Sequence, residues 1–492
     1  MNLDELQPAE VLKFFREICA IPHASYHVEQ ISDYLVRFAT KRHLKVRQDE
    51  KKNVIIFAPA TEGYENEPPI AIQGHMDMVA VKEKDCTLDL SKDGLDLQYE
   101  DGFLYAKGTS LGGDDGIAIA YALAIMDSDS IPHPEIEAIF TVDEEVGMDG
   151  AMEIDLSDIR SKRLLNIDSE VEGVLTVSCA GGMHIHATIP ASYEPVNAPV
   201  YQLTLTGLKG GHSGVEIDKG RGNAAHLLAR SLYELNKEVP LQIVSMESGT
   251  KDNAIPSCAM AEFILSDSGS GISSDKKANA VLSKINDAVN REFSGIEDGI
   301  ELKLESKELF VTEGDSHNAL THAESERILS ALISYPDGVV SMCGEIEGLV
   351  ETSLNLGILK LSGRGMELDF SLRSSIHDSK MHLRDRVVEI TKAFGGTTTE
   401  NGEYPSWEYR KDSPFRELMV ELFEEQYGKK PEVVGIHAGL ECGILIEKKP
   451  DLECVSMGPN LLEIHTTREK MDIESVERTW KYIKNILAKK TL

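Results

Sequence analysis

The chain has 492 residues, 41% hydrophobic and 27% charged, a globular profile with room for two or three domains and a large core. Asp and Glu number 83 against 50 Lys and Arg, a net charge of −33, which argues against nucleic acid and anionic membrane surfaces as partners. The seven cysteines are scattered and form no CxxC, so neither a disulfide framework nor a structural zinc ribbon is expected.

The opening MNLDELQPAE lacks the basic-then-apolar pattern of a signal peptide. No run approaches the roughly 20 apolar residues of a membrane span. A cytoplasmic protein with reduced thiols is the expectation. Helical spacing over 8–19 puts Val11, Leu12, Phe15 and Ile18 on one face, and a second helix is predicted over 31–41. Strands are predicted over 53–58, with VIIFA at its heart, and over 69–73, inside PIAIQGHMDMV. Gly74 breaks that strand and leaves His75 and Asp77 at its end. Strand side chains two apart point the same way, so Asp77 can reach one nitrogen of His75 and leave the other for a metal. A buried histidine bonded to a loop aspartate is the plainer alternative. Residues 79–108 read as a polar, acidic loop or hairpin.

In 108–126, GTSLGGDDGIAIAYALAIM, glycines give way to a helix with Asp114 and Asp115 just ahead of it. Either aspartate could serve only as a cap; two after paired glycines exceed what a cap requires. A strand over 135–142, EIEAIFTV, ends in Asp143-Glu144-Glu145, and the apolar run LLNI over 164–167 ends in Asp168. Crowded acids are costly unless cations neutralise them. His75, Asp114, Glu145 and Asp168 thus all fall at element ends, where ligands gather in open α/β sheets.

Strands continue over 174–190 around an expected Gly181-Gly182 turn. From Tyr201 the alternation of a half-exposed strand appears, followed by a Gly-rich loop holding His212 and a helix from about Asn223. Strands over 241–246, 259–265, 354–361, 366–372 and 397–403, with helices over 275–292 and 381–394, point to an α+β domain. It is expected at 188–399, inserted between a first part (1–187) and a second part (400–492) of one α/β domain. The second part carries a helix over 415–427, a short strand before HAGLECG (437–443), a strand over 454–457, the His465 loop and a closing helix over 474–488.

Carboxylates and imidazoles without thiolate suit zinc, cobalt or manganese. With Glu144 and Glu145 adjacent, one can bind metal while the other, Glu144, acts as base. Two metals about 3.5–4 Å apart would activate a water and hold an amide oxygen.

GHMDMV, GTSLGGDDG, DEEVGMDGA, NIDSE, GLKGGHSG, NAIP, ETSLNLG, HAGLECG and the His465 loop together resemble the aminoacyl-histidine dipeptidases. These belong to the dizinc peptidase family that includes carnosinases, aminoacylases and carboxypeptidase G. The resemblance runs in order over essentially the whole chain. It implies an aminopeptidase-like α/β catalytic domain with a mixed sheet flanked by helices and an inserted α+β lid. It also implies hydrolysis of Xaa-His and other dipeptides, two divalent metals (zinc, with cobalt or manganese as alternatives) and a homodimer. By the same resemblance His75 and Asp168 hold one metal, Glu145 and His465 the other, and Asp114 bridges them. Glu144 is then the base, Asp77 orients His75, and a cis peptide falls at Asp114–Asp115. His212 and Arg373 match the lid residues for the oxyanion and the substrate carboxylate, with Asn253 and Asn355 as further candidates. Glu441 is a candidate for the substrate amine or for the helix dipole. Thr466-Thr467 after His465 departs from the family's usual Ser-Pro. An N-acyl amino acid deacylase and a non-catalytic homologue are the competing readings.

Overall fold

The computed structural model describes residues 3–266, 273–307 and 317–490. Contacts divide these into two compact units: Met1–Cys179 with Tyr409–Gly435 and Leu440–Leu492, and Ala180–Glu408 with Ile436–Gly439.

The first unit is built on an eight-stranded sheet. Its strands run, edge to edge, Lys45–Gln48, Val54–Ala58, Ile136–Thr141, Ile70–His75, Arg163–Asn166, Glu453–Ser456, Val174–Cys179 and Glu432–Ile436. Ile70–His75 pairs in parallel with both Ile136–Thr141 and Arg163–Asn166, and Glu453–Ser456 is parallel to Arg163–Asn166. Val54–Ala58, Ile70–His75 and Ile136–Thr141 are buried at every residue, as strands with both faces covered must be. The helix Gly113–Met126 is apolar all round and buried along its whole length. Its Tyr121 stacks on Trp480 at 5.8 Å and donates to the Val476 carbonyl at 2.9 Å, fastening it to the closing helix Ile473–Ala488. The hairpin Leu97–Glu100 and Phe103–Ala106 joins Lys470–Asp472 and Leu461–Leu462 in a four-stranded sheet.

The second unit is an antiparallel sheet with helices packed on a shared core. Its central strands Leu241–Ser248, Val350–Ser362, Gly365–Ser374 and Gly181–Ile189 are neighbours. The helix Ala224–Glu238 begins where Asn223 accepts the N–H groups of Ala225 and His226.

Gly181 and Gly182 do not form the expected turn: they open the strand Gly181–Ile189. A Cβ on Gly182 would lie 2.5 Å from Tyr404 Oη and one on Gly181 2.6 Å from the Ser406 N, so the pair marks close approach rather than reversal. The helix His322–Ser334 and the strands Glu301–Lys307, His317–Leu320 and Gly338–Met342 lie outside the predicted elements; the helix buries Ile328, Leu329, Ala331 and Leu332, whereas Glu301–Lys307 is charged and largely exposed. Among the described residues no helix is long and apolar enough to cross a membrane.

Candidate active site

In the first unit, the carboxyl ends of the parallel strands align. His75 lies opposite Thr141, and Gln73 opposite both Ile139 and Asn166, so the residues just beyond gather at one edge. Gly74 is required there: a Cβ would come within 2.5 Å of both Asp115 Oδ2 and Ala118 Cβ. Neither Asp114 nor Asp115 caps the helix. Both have non-helical dihedrals, and the peptide between them is cis. Asp115 Oδ2 accepts the His75 N–H at 3.2 Å.

Asp114 sits between the two histidines. Its Oδ1 is 3.0 Å from His75 Nε2 and its Oδ2 is 3.1 Å from His465 Nε2. Glu145 Oε1 approaches His465 Nε2 at 2.8 Å, and Asp168 Oδ1 lies 3.7 Å from His75 Nε2. The other nitrogen of His75 meets Asp77: its backbone carbonyl at 3.0 Å and its Oδ1 at 3.5 Å. The buried Asp77 carboxylate does more than the expected contact. It also accepts from the backbones of Glu144 at 3.0 Å and Glu145 at 3.4 Å and from Ser25 Oγ at 2.8 Å. One aspartate therefore holds both a histidine and the acidic turn.

His465 has a left-handed φ of 60° in a tight loop. Thr466 shapes that loop: its Oγ1 donates to the Glu463 carbonyl at 2.7 Å and accepts from the Arg468 N–H at 3.1 Å. The departure from Ser-Pro thus leaves a hydroxyl at the first position.

Two sets of ligand atoms are close enough to hold an ion, one from His75, Asp114 and Glu145, the other from His75, Asp115 and Asp168. The donors are oxygen and nitrogen only, a set that fits a catalytic divalent metal. Charge makes the same demand. Among the described residues no lysine or arginine pairs with these carboxylates. Burial pushes Asp168 and Asp115 well up, and Glu144 up to about 8. His465 is pushed up to about 10 by Asp114 and Glu145; at His75, burial is outweighed by Asp114 and Asp77, which hold the ring well above its ordinary value. Only protons could otherwise balance so many buried anions.

Glu441 is wholly buried. Its Oε2 accepts from Gln73 Nε2 and Thr141 Oγ1, both at 2.6 Å, and burial pushes its carboxyl up to about 7. Gln73 and Thr141 went unmarked in the sequence, although a glutamine inside IAIQGH was the available signal.

The second unit holds His212 and Arg373. His212 Nδ1 accepts from the N–H groups of Gly214 at 3.1 Å and Val215 at 3.2 Å, which fixes the proton on Nε2. Burial, then the Arg373 charge, keeps the ring neutral. The ring thus braces the Gly-rich turn through Nδ1 and carries its N–H on Nε2. Arg373 donates from Nη1 to Tyr404 Oη at 2.7 Å, while its buried Nε has no partner. Among the described residues no carboxylate pairs with it. His437, missed as an individual residue within HAGLECG, also belongs to this unit. Its Nε2 bonds Ser353 Oγ at 2.7 Å, and burial, then Arg373, pushes it down to about 4. Asn355 is 1% exposed and donates to the carbonyls of Asp252 and Ala254, both at 2.9 Å, so it clamps the turn that carries Asn253. The Asn253 side chain is exposed, and its carbonyl accepts the Ser213 N–H.

Residues 71–489 match the peptidase family M20/M25/M40. The chain belongs to this family. It is 34% identical over 490 residues to the cytosol non-specific dipeptidase of Escherichia coli (strain K12), covering 99% of this chain and 98% of that one. The crystal structure of aminoacylhistidine dipeptidase from Vibrio alginolyticus matches with a TM-score of 0.92 at 34% identity, over 99% of this chain and 98% of that one. Aminopeptidase PepT from Bacillus cereus shares the fold, with a TM-score of 0.55 at 16% identity over 98% of each chain. The resemblance read from the motifs is borne out, as is the α/β architecture of a sheet flanked by helices. The M20/M25/M40 assignment makes the chain a peptide-bond hydrolase.

Proposed function

We propose that the chain is a metal-dependent dipeptidase that cleaves Xaa-His and other dipeptides. The observation that carries this reading is Asp114, whose two carboxylate oxygens each face a different histidine. In this reading His75 and Asp168 hold one ion, Glu145 and His465 the other, and Asp114 both; zinc suits the donors best, with cobalt or manganese as alternatives. When bound, such a pair supplies Lewis acidity to a water and to the scissile carbonyl.

The chain's own residues do the rest. Glu144 takes the proton of the attacking water and passes it to the leaving amine. Asp77 keeps the His75 ring in place and, through the backbone bonds it accepts, aims Glu144 and Glu145. His212 offers Nε2–H to the developing oxyanion. Arg373 holds the dipeptide carboxylate; a buried guanidinium without an acidic partner is the supporting observation, since such a charge is costly until an anion meets it. Asn355 clamps the turn of Asn253, whose carbonyl accepts the Ser213 N–H and so fixes the backbone next to His212. Glu441 accepts from Gln73 and Thr141 through Oε2, and its buried Oε1, which has no partner among the described residues, is the oxygen that would meet the substrate amine. The 34% identical Escherichia coli relative is a cytosol non-specific dipeptidase, which supports a cytoplasmic setting, and the family resemblance supports a homodimer, which sedimentation would test.

Hydrolysis of β-Ala-His, Gly-His and an N-acetyl amino acid, with and without added zinc, tests the activity. Metal-dependent cleavage of the two dipeptides alone is expected. Faster turnover of the N-acetyl compound would favour the deacylase; no turnover by metal-loaded protein would favour a non-catalytic role.

Arg373→Ala should raise KM for free dipeptides by about ten- to a hundredfold, the loss of one charged hydrogen bond of about 1.5–3 kcal/mol. Arg373→Lys should rescue it only in part, because an ammonium lacks the planar fork. Dipeptide amides should be poor substrates of the wild type and lose little more in the variant. Equal losses on acids and amides would assign Arg373 to folding instead.

A further inference from the structure

Among the buried carboxylates that the mechanism above leaves unused, Glu469 bonds the loop that carries Asp114. Glu469 is 2% exposed and follows His465 on the same loop. Its Oε2 accepts the backbone N–H groups of Leu111 at 2.7 Å and Gly112 at 3.0 Å, and its Oε1 those of Gly113 at 2.8 Å and Asp114 at 3.4 Å. Successive N–H groups converging on one anion form a nest, and the left-handed φ of 68° at Gly112 is what lets them converge. Those of Gly112, Gly113 and Asp114 are among the donors that the start of the helix Gly113–Met126 leaves unsatisfied.

We propose that Glu469 is a positioning residue for the metal centre: it fastens the loop of Asp114 to the loop of His465. The bridging carboxylate and the histidine facing it come from segments far apart in sequence, yet Asp114 Oδ2 and His465 Nε2 sit 3.1 Å apart. A ligand carried on a glycine-rich loop needs such a tether, since a misplacement of a fraction of an ångström weakens coordination. Glu469 reaches no ion itself; it acts through the backbone of Leu111–Asp114. The inference rests on Asp114 being a metal ligand.

Glu469→Gln tests it. The glutamine keeps the shape and one accepting oxygen, but turns an NH2 group toward two of the backbone donors. The chelated protein is titrated with cobalt(II), following visible absorption and heat, with far-ultraviolet circular dichroism as a check on folding. The variant is expected to bind cobalt about ten- to a hundredfold more weakly, with an altered absorption band and an unchanged dichroism spectrum. Wild-type affinity and an unaltered band in a folded variant would overturn the proposal. If Glu469→Gln does not fold, Glu469→Asp, which keeps the charge but withdraws the oxygens, carries the same expectation and the same refutation. A wild type that binds no cobalt would overturn the metal reading itself, a failure distinct from one seen only by comparing variants.

Discussion

Replacing Glu144 with alanine should leave both metals in place and lower kcat on the order of a thousandfold or more, the usual worth of a positioned acid–base group with some added loss from the amine step. The separation of effects follows from the geometry. Among the described residues no histidine pairs with the Glu144 carboxylate; its backbone is anchored by Asp77, whereas Glu145 and Asp114 contact His465. Burial raises the Glu144 carboxyl above the ordinary glutamate range, and bound cations would draw it back toward the ionised form a base needs. Metal analysis and kcat on Gly-His decide the matter together. A variant that lost an ion would make Glu144 a ligand, and one with near-wild-type kcat would leave the base elsewhere.

Asp114→Ala should fail in the opposite order, metal first. Each oxygen of this carboxylate faces a different histidine, so in the proposed two-metal reading its removal would strip a donor from both ions at once. Loss of an outer partner typically costs a ten- to hundredfold in affinity, and loss of a shared ligand should exceed about a hundredfold for each ion. Purified Asp114→Ala is expected to contain little metal and to stay inactive on Gly-His even when micromolar zinc is supplied. It should still fold, because the helix that follows is buried on apolar contacts throughout. Full occupancy of both sites in this variant would refute the bridging role.

The sequence exposed those parts of the site whose signal is local. His75, Glu145 and Asp168 each end an apolar run, and runs of that kind become parallel strands whose ends meet. Elsewhere the relevant partner lies far along the chain. Glu469 looks like one acid among 83 Asp and Glu, and its meaning appears only when Leu111–Asp114 folds onto it. Glu441 reads as an ordinary helix start until Gln73 and Thr141 enclose it. Asn355 is a polar residue on a strand and becomes a clamp through the carbonyls of a distant turn. Gly181-Gly182 misled because tight approach and chain reversal call for the same residue.

The strand order has a consequence for how the protein is made. Arg163–Asn166 has Ile70–His75 on one side, but its other neighbour is Glu453–Ser456, which also separates it from Val174–Cys179. The nascent chain must therefore hold one edge of this strand unpaired while roughly 290 further residues are added, about half a minute at ordinary ribosomal speed. During that interval a sticky edge is open to other chains. A ribosome stalled before codon 453 should present a species that binds holdase chaperones, and release of the last forty or so residues should end that binding.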